Sequence, residues 1–248
     1  MKENTTQDSK KRMKISVVMA AYDEKGNVDV LVKRIHKVLN QIKIPHEFVL
    51  VLRGTKESSG YNDLVKLKKT INNMNIFYKP NVIGIGPSFR CGFDNVSKTA
   101  THILTMDADM NHQPEEIPSF IEAMEKSGAD VIIGSRYIEK GKFVMPVWKK
   151  FLSRTMNVLL RFLYDLPVAD KTSGYRLYKK GVIDSINHKT TSVNFEYLPE
   201  LLIRARKKNY LLAETPIYFK KRKFGKSKMN ILKTTIGYLR LLGRIAVK

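Results

Sequence analysis

The sequence predicts an α/β protein with a mainly parallel sheet flanked by helices. Segments with apolar residues at helical spacing separate the predicted strands, at 28–42, 61–71, 88–99 and 114–124. Strands that alternate with helices imply βαβ units with right-handed crossovers. The strands themselves are short apolar, β-branched runs of the kind found in buried parallel sheets, at residues 15–22, 47–52, 75–79, 102–107 and 130–135.

Ligands of such sheets bind beyond the carboxyl ends of the strands. A nucleotide site is therefore expected in the loops near Tyr22, Arg53, Ile85 and Asp107.

The chain has the character of one continuous domain between two short segments. It has 248 residues, enough to bury a substantial core, and its apolar fraction of 43% is typical of a globular protein. It contains no internal repeat and no Pro- or Gly-rich linker. The sequence therefore predicts a disordered basic tail at 1–14, a domain at 15–230 and an amphipathic basic helix at 231–248.

The chain is strongly basic. Lys and Arg number 45 against 23 Asp and Glu, and this formal net charge of +22 indicates an anionic partner: nucleic acid, an acidic membrane or a phosphorylated substrate. Nucleic acid is not the expected partner, because the sequence lacks zinc-finger spacing, an RNP-like aromatic motif and a basic zipper. The single cysteine, Cys91, excludes an internal disulfide framework and a cysteine-rich zinc site.

Two segments predict contact with a membrane surface. No stretch reaches the roughly 18 apolar residues of a spanning helix, and the N-terminus lacks the apolar core of a secretory signal. Residues 146–166 and 231–248 instead combine an apolar stripe with flanking cations, which suits the membrane interface, although each stripe could also pack on the protein's own core. We expect a peripheral protein on the cytoplasmic face of a membrane, resting there or held by a small membrane-anchoring partner.

The segment MDADMNHQP (106–114) predicts a metal site. Asp107 and Asp109 follow an apolar strand and point to the same side if the strand conformation continues. Two such carboxylates repel each other unless a cation lies between them, and Mg²⁺ or Mn²⁺ would share their oxygens with substrate phosphates. Asn111 could add a third protein oxygen, and His112 is expected to be a solvated loop residue. The alternative is a surface loop whose acids cap the helix that begins at 114.

Several segments resemble the polyprenyl-phosphate sugar transferases of glycosyltransferase family 2, dolichyl-phosphate mannose synthase among them. The resemblance covers about residues 15–230. The combination of D-x-T-S-G-[FY]-R with a late G-x-S-K-M is much more specific than a bare D-x-D. The segments are AAYDEKGN (20–27), MDADMNHQPEEIP (106–118), GSRY (134–137), WKKFLSR (148–154), LPVADKTSGYRLYKK (166–180) and FGKSKM (224–229).

The resemblance implies a GT-A fold and inverting sugar transfer, with Mg²⁺ or Mn²⁺, from a nucleotide-sugar donor (GDP- or UDP-linked) to a dolichyl or polyprenyl phosphate. Mannose or glucose is the expected sugar. Carried over by position, the implied catalytic residues are Asp107, Asp109, Asp170 and Arg176, and the metal ligands are Asp107, Asp109 and Asn111. The implied donor-binding residues are Ala20, Tyr22, Glu24, Asp107, Arg222 and Lys228; the lipid-phosphate residues are Arg136, Ser153 and Arg154. Glu200 matches an acidic helix residue that faces the site.

One departure from the family pattern concerns the nucleoside. The family's second strand ends in a pair of aspartates, and Val51 and Leu52 are read here as standing in their place, while Ala20 replaces the opening proline. Nucleoside recognition is therefore expected to be weak. Two alternatives remain open: a transferase of the same fold that acts on a soluble or polysaccharide acceptor, and a catalytically weak homologue that binds lipid.

Overall fold

The computed structural model describes residues 13–144, 147–221 and 231–246. Most of the predicted tail at 1–14 therefore lies outside the described residues, as does the late basic segment at 222–230.

The predicted α/β fold is confirmed. Within the described residues, the main sheet has seven strands: β1 (Ile15–Tyr22), β2 (His46–Arg53), β3 (Met74–Tyr78), β4 (His102–Thr105), β5 (Val131–Ser135), β7 (Arg176–Lys179) and β8 (Leu212–Pro216). Their order across the sheet is β3-β2-β1-β4-β7-β5-β8. All neighbouring pairs are parallel except those that involve β7, which runs antiparallel to both β4 and β5. Two short strands, β6 (Lys142–Phe143) and β9 (Tyr218–Phe219), pair in parallel beside it.

Helices cover the sheet on both faces and supply the two apolar cores. They are α1 (Val28–Gln41), α2 (Lys56–Ser59), α3 (Tyr61–Lys68), α4 (Ile85–Asp94), α5 (Ile117–Ser127), α6 (Val147–Tyr164), α7 (Lys180–Ile186), α8 (Tyr197–Lys207) and α9 (Ile231–Ala246). Alternate residues of β1 enter opposite cores: Val17 and Met19 pack with α1 and α5, whereas Val18 packs with α4 and α8. This burial on both faces explains why the strand reads as a continuous apolar run.

The antiparallel strand β7 positions the site. Because it runs against its neighbours, β7 begins at the edge of the sheet where β4 and β5 end, and Arg176 pairs with both Thr105 and Ile133. The loop at 170–175 therefore reaches the same edge as the residues that follow β4. The sequence pattern did not predict this strand.

Helices α6 and α9 each have a buried face and an apolar exposed face. In α6, Leu160 is fully buried, whereas Phe151 and Phe162 are 72% and 88% exposed. In α9, Leu241 is fully buried and Leu239 is 62% exposed. None of the helices in the described ranges is long and apolar enough to cross a membrane.

Candidate active site

Asp107 and Asp109 lie directly after β4, at the carboxyl edge of the sheet. Asp109 accepts hydrogen bonds from the backbone N–H of Asn111 at 3.1 Å and from its side-chain amide at 2.8 Å. Between them Met110 adopts a positive φ of 66°, a sparsely populated conformation for a residue with a side chain. The chain therefore turns sharply here, and Asn111 is folded back onto Asp109.

The oxygens at this turn fit a hard divalent cation. Asn111 Oδ1 is buried and has no hydrogen-bond partner, although a buried polar atom is normally paired. It belongs to the same amide that holds Asp109, while the Asp107 side chain is 29% exposed. In the described part of the chain no three His, Cys, Asp or Glu residues gather as a metal site. The available donor set is thus two carboxylates and one amide oxygen, which suits Mg²⁺ or Mn²⁺ together with phosphate oxygens.

The expectation that His112 is a solvated loop residue is wrong. The side chain is 1% exposed and packs between the rings of Tyr175 and Phe219. Its Nδ1 accepts a hydrogen bond from the Asp107 backbone N–H at 3.4 Å. Burial lowers the pKa of the imidazole to about 4, so the ring is neutral near pH 7 and fixes the backbone of Asp107. A single loop histidine carries no sequence signal that could have indicated this.

A second polar group surrounds a buried ion pair. Arg136 lies just after β5, and its guanidinium donates to both carboxylate oxygens of Asp170, at 2.7 and 2.8 Å. The backbone N–H of Arg136 donates to the same carboxylate at 3.1 Å. Burial alone would raise the pKa of Asp170, but Arg136 and these hydrogen bonds hold it below its usual value. Asp170 is therefore ionised, and its oxygens are committed to Arg136 and to neighbouring backbone N–H groups.

The ion pair connects α6 to the turn at 107–111, which we call the acidic turn. Arg136 also donates to Thr172 Oγ1, which lies 3.1 Å from Ser153 Oγ of α6. On the other side, Gly174 packs so closely on Asp107 that a Cβ there would lie 2.8 Å from the carboxylate. The structure thus brings Arg136, Ser153 and Asp170 together next to the acidic turn. Arg154, the next residue of α6, is exposed.

Arg176 lies in the interior rather than at the open edge. It is fully buried, and it donates to the carbonyl oxygens of Leu198 and Lys171 at 2.7 and 2.8 Å and to Tyr178 Oη at 3.2 Å. These bonds tie β7 to α8 and to the loop that contains Asp170. The geometry shows that Arg176 supports this loop. Its direct contact with substrate stays a prediction.

Tyr22 is the last residue of β1 and Glu24 follows it, at the edge of the sheet where the sequence predicts the donor. Tyr22 is 42% exposed and Ala20 is half-buried, whereas Glu24 is buried and accepts a hydrogen bond from Asn27 at 2.7 Å. Next to Tyr22 is an open pocket of about 660 Å³. Its lining residues are Tyr22, Asp23, Gly54, Thr55, Lys56, Glu57, Tyr78 and Pro80.

Val51 and Leu52 do not reach this pocket. Both are fully buried within β2, and Leu52 belongs to the core on the side of α1. The residue at the end of the strand is Arg53, whose guanidinium lies 4.9 Å from the centre of the Tyr22 ring and donates to the Val82 carbonyl at 3.3 Å. Burial lowers the pKa of Arg53, yet it remains far above neutral pH, so a cation borders the ring.

Two predicted donor residues, Arg222 and Lys228, lie outside the described residues. Glu200 is described and is 1% exposed; its carboxylate accepts the backbone N–H groups of Thr191 and Ser192 and pairs with Arg204. Its predicted place facing the site stays a prediction.

Solved structures of similar fold include glucosyl-3-phosphoglycerate synthase from Mycobacterium tuberculosis in complex with Mn²⁺, UDP-glucose and phosphoglyceric acid. That structure has a TM-score of 0.69 and 13% identity, over 97% of this chain and 83% of that one. The same enzyme with Mg²⁺ and UDP has a TM-score of 0.66 over 96% of this chain and 80% of that one, also at 13% identity. At such low identity the likeness shows the GT-A fold alone.

Two curated relatives are more similar in sequence. "Polyprenol monophosphomannose synthase" of Mycolicibacterium smegmatis is 30% identical over 218 residues, which cover 86% of this chain and 80% of the relative. "Dolichol-phosphate mannosyltransferase" of Pyrococcus furiosus is 30% identical over 238 residues, or 94% of this chain and 64% of the relative. The profile of glycosyl transferase family 2 matches residues 16–186, more than half of the chain. The chain therefore belongs to glycosyl transferase family 2 and is a glycosyltransferase.

Proposed function

We propose that this glycosyltransferase moves a hexose, mannose or glucose, from a GDP- or UDP-sugar to a polyprenyl or dolichyl phosphate at a membrane surface. The observation that carries the proposal is that the loop bound by Arg136, at 170–174, packs on Asp107 of the acidic turn. Next to this contact is α6, a helix that exposes large apolar side chains. A donor diphosphate and a lipid phosphate could meet there. The names of the two curated relatives support the same acceptor class.

On the donor side, Asp107, Asp109 and Asn111 would hold a divalent cation. When bound, such a cation neutralises the charge that develops on the leaving diphosphate. The chain itself keeps the turn rigid, because His112 fixes the Asp107 backbone and Asn111 fixes the Asp109 carboxylate. Arg222 and Lys228 are proposed to add positive charge to the donor diphosphate.

On the acceptor side, Arg136, Ser153 and Arg154 are proposed to bind the lipid phosphate. A phosphate monoester has a second pKa near 6, so it is already a nucleophile at neutral pH and needs no strong general base. Asp170 serves here by orienting Arg136 rather than by taking a proton, because its oxygens are already occupied. This assignment needs no Ser-His-Asp or Cys-His arrangement.

The exposed stripe of α6 is proposed to lie on the membrane. Phe151, Val158 and Phe162 recur at intervals of seven and four residues and are 69–88% exposed. If this face of α6 packed on the protein's core, these side chains would be buried. The end of α6 that carries Ser153 is also the end nearest the ion pair. A lipid phosphate could thus enter from the surface on which its chain remains embedded.

We expect Asp109→Ala to lower sugar transfer by about 100-fold or more, because losing a metal-binding carboxylate removes several kcal/mol of transition-state stabilisation. The measurement is transfer from a panel of nucleotide sugars to a short polyprenyl phosphate, with circular dichroism to verify folding. Asp184→Ala is the matched control, since Asp184 is an exposed carboxylate of α7 paired only with Lys180 among the described residues. Metal-dependent turnover that survives in Asp109→Ala would contradict the assignment.

We expect Arg154→Ala to raise the KM for polyprenyl phosphate about tenfold and to leave the donor KM unchanged, because a charge-assisted contact contributes roughly 1.5–3 kcal/mol. Arg161→Ala removes another exposed arginine two turns further along α6 and should have little effect. Arg136→Ala is a poorer test, since it would leave the Asp170 carboxylate buried and unpaired, at a cost of about 3–5 kcal/mol. Equal changes in both KM values would argue against a lipid-phosphate site.

We expect Phe162→Ser to weaken binding to anionic phospholipid vesicles about tenfold, because burying a phenylalanine contributes roughly 1.5–3 kcal/mol. Leu211→Ser is the control: Leu211 is 56% exposed and lies just before β8, outside the exposed stripe of α6. Co-sedimentation measures both variants. Equal vesicle binding by the two would place the membrane contact elsewhere.

We expect GDP and UDP to bind only with Mg²⁺ or Mn²⁺ and to differ in affinity by less than about tenfold, or 1.4 kcal/mol. The physical reason is that β2 offers no carboxylate to the nucleoside: Val51 and Leu52 are core residues, and Arg53 has no acceptor. Calorimetry with each nucleotide, with and without metal, measures this. Tight, base-selective binding without metal would instead show that Arg53 reads the base, and Arg53→Ala would then abolish the selectivity.

A further inference from the structure

The turn between β3 and α4 rests directly on the backbone of a distant segment. We call residues 81–86 the donor turn and residues 190–194 the bracing segment. Gly86 N–H donates to the Val193 carbonyl at 2.9 Å. Gly84 has a φ of +93°, and a Cβ on it would lie 2.3 Å from the same carbonyl oxygen; one on Gly86 would lie 2.2 Å from the Ser192 carbonyl oxygen. With no side chain between them, the two backbones are in direct contact.

The donor turn is also linked to the pocket next to Tyr22, which we call the nucleoside pocket. Its Val82 carbonyl accepts a hydrogen bond from Arg53, whose guanidinium lies over the ring of Tyr22. A shift of the turn would therefore move Arg53 and change the wall of the pocket at Tyr22.

The bracing segment is held by charged side chains from two helices, α4 and α8. Glu200 of α8 accepts the backbone N–H of Thr191 at 3.2 Å and that of Ser192 at 2.9 Å. Arg90 of α4 donates to the Ser192 carbonyl at 3.0 Å. Burial would raise the pKa of Glu200, but the Ser192 and Arg204 hydrogen bonds hold it below its usual value, so the carboxylate is charged when it accepts these bonds.

Helix α9 closes the other side of the bracing segment. Arg244 donates to Thr191 Oγ1 and, at 3.0 Å, to Ser192 Oγ. Earlier in the helix, Gly237 lies against the Glu196 carboxylate, so that a Cβ there would be 2.3 Å from Oε2. The other oxygen of Glu196 accepts the backbone N–H groups of Val193 and Asn194. The last helix of the described chain is thus joined to the donor turn through one intervening segment.

We propose that Arg244 is a positioning residue for the donor: it fixes the bracing segment, which fixes the donor turn and, through Val82, Arg53. This inference rests on the proposed function, because it assumes that the pocket takes a nucleoside diphosphate. Glu200 and Arg90 keep the segment folded without Arg244, so its loss displaces the segment rather than unfolding it. Small displacements of this kind are enough to impair binding and catalysis.

The test compares Arg244→Ala with Arg240→Ala. Arg240 lies one turn earlier on α9 and is exposed, so its substitution removes the same charge. The hydrogen bonds that hold Thr191 and Ser192 in the described residues come from Arg90, Glu200 and Arg244, not from Arg240. We expect Arg244→Ala to accelerate amide hydrogen exchange at Gly86 and to weaken binding of GDP or UDP with Mn²⁺ five- to tenfold, raising donor KM more than it lowers kcat. Arg240→Ala should change neither quantity, and Arg244→Lys should recover part of the loss.

Equal exchange at Gly86 and equal nucleotide affinity in the two alanine variants would overturn the proposal. Faster exchange at Gly86 with unchanged nucleotide affinity would also overturn it, since the turn would then be braced without affecting the donor. A wild-type chain that bound neither GDP nor UDP with Mn²⁺ would contradict the proposed function instead, because the exchange measurement needs no nucleotide.

Discussion

The buried ion pair between Arg136 and Asp170 is the interaction on which the rest of the site depends. It fastens the end of β5 to the loop that leads into β7, and the same carboxylate accepts the N–H groups of Thr172 and Ser173. Through that loop, Gly174 is set against Asp107. Taking two charges out of water is expensive, and a buried pair of this kind is weak evidence for stability. Its contribution here is geometric, because it fixes the distance between the acidic turn and the Arg136 guanidinium.

The ion pair also fixes the position of one positive charge at the site, the Arg136 guanidinium. A lone buried arginine would be costly, and a lone surface arginine would be mobile. Bidentate pairing holds the Arg136 guanidinium at a fixed angle, over the rings of Tyr137 and Phe219, whereas Arg154 is exposed on α6. A rigid cation beside an adaptable one suits an acceptor whose phosphate must be aligned but whose lipid chain must enter and leave.

Much of the fold could be predicted because its signals are local. The apolar runs of β1 and β2 are buried on both faces, and their observed limits differ from the predicted ones by at most one residue. The acidic pair at Asp107 and Asp109 was also visible, since it directly follows such a run. By contrast, β7 has four residues and an orientation set by its neighbours, which no period in the sequence records.

The rest of the site was hidden because it depends on contacts between distant segments. No pattern of residues indicates that His112 is enclosed by Tyr175 and Phe219, which come from other parts of the chain. The resemblance predicts Arg176 and Glu200 at the site, and what the folded chain adds is their hydrogen bonds to backbone groups of distant segments. Residue type and spacing cannot distinguish a charge that meets substrate from one that supports a loop.

The place of β7 in the sheet has a consequence for the order in which the chain folds. Strands β1 to β4 are neighbours in the sheet and early in the chain, so they can pair during synthesis, whereas in the described sheet β5 pairs with β7 and β8 alone. Both partners of β5 emerge from the ribosome after it, and such non-local pairing is slow to form. Until β7 is inserted, β4 and β5 are not held in one sheet. The nascent chain is therefore expected to assemble the part of the sheet from β1 to β4 first and to join β5, β7 and β8 to it last.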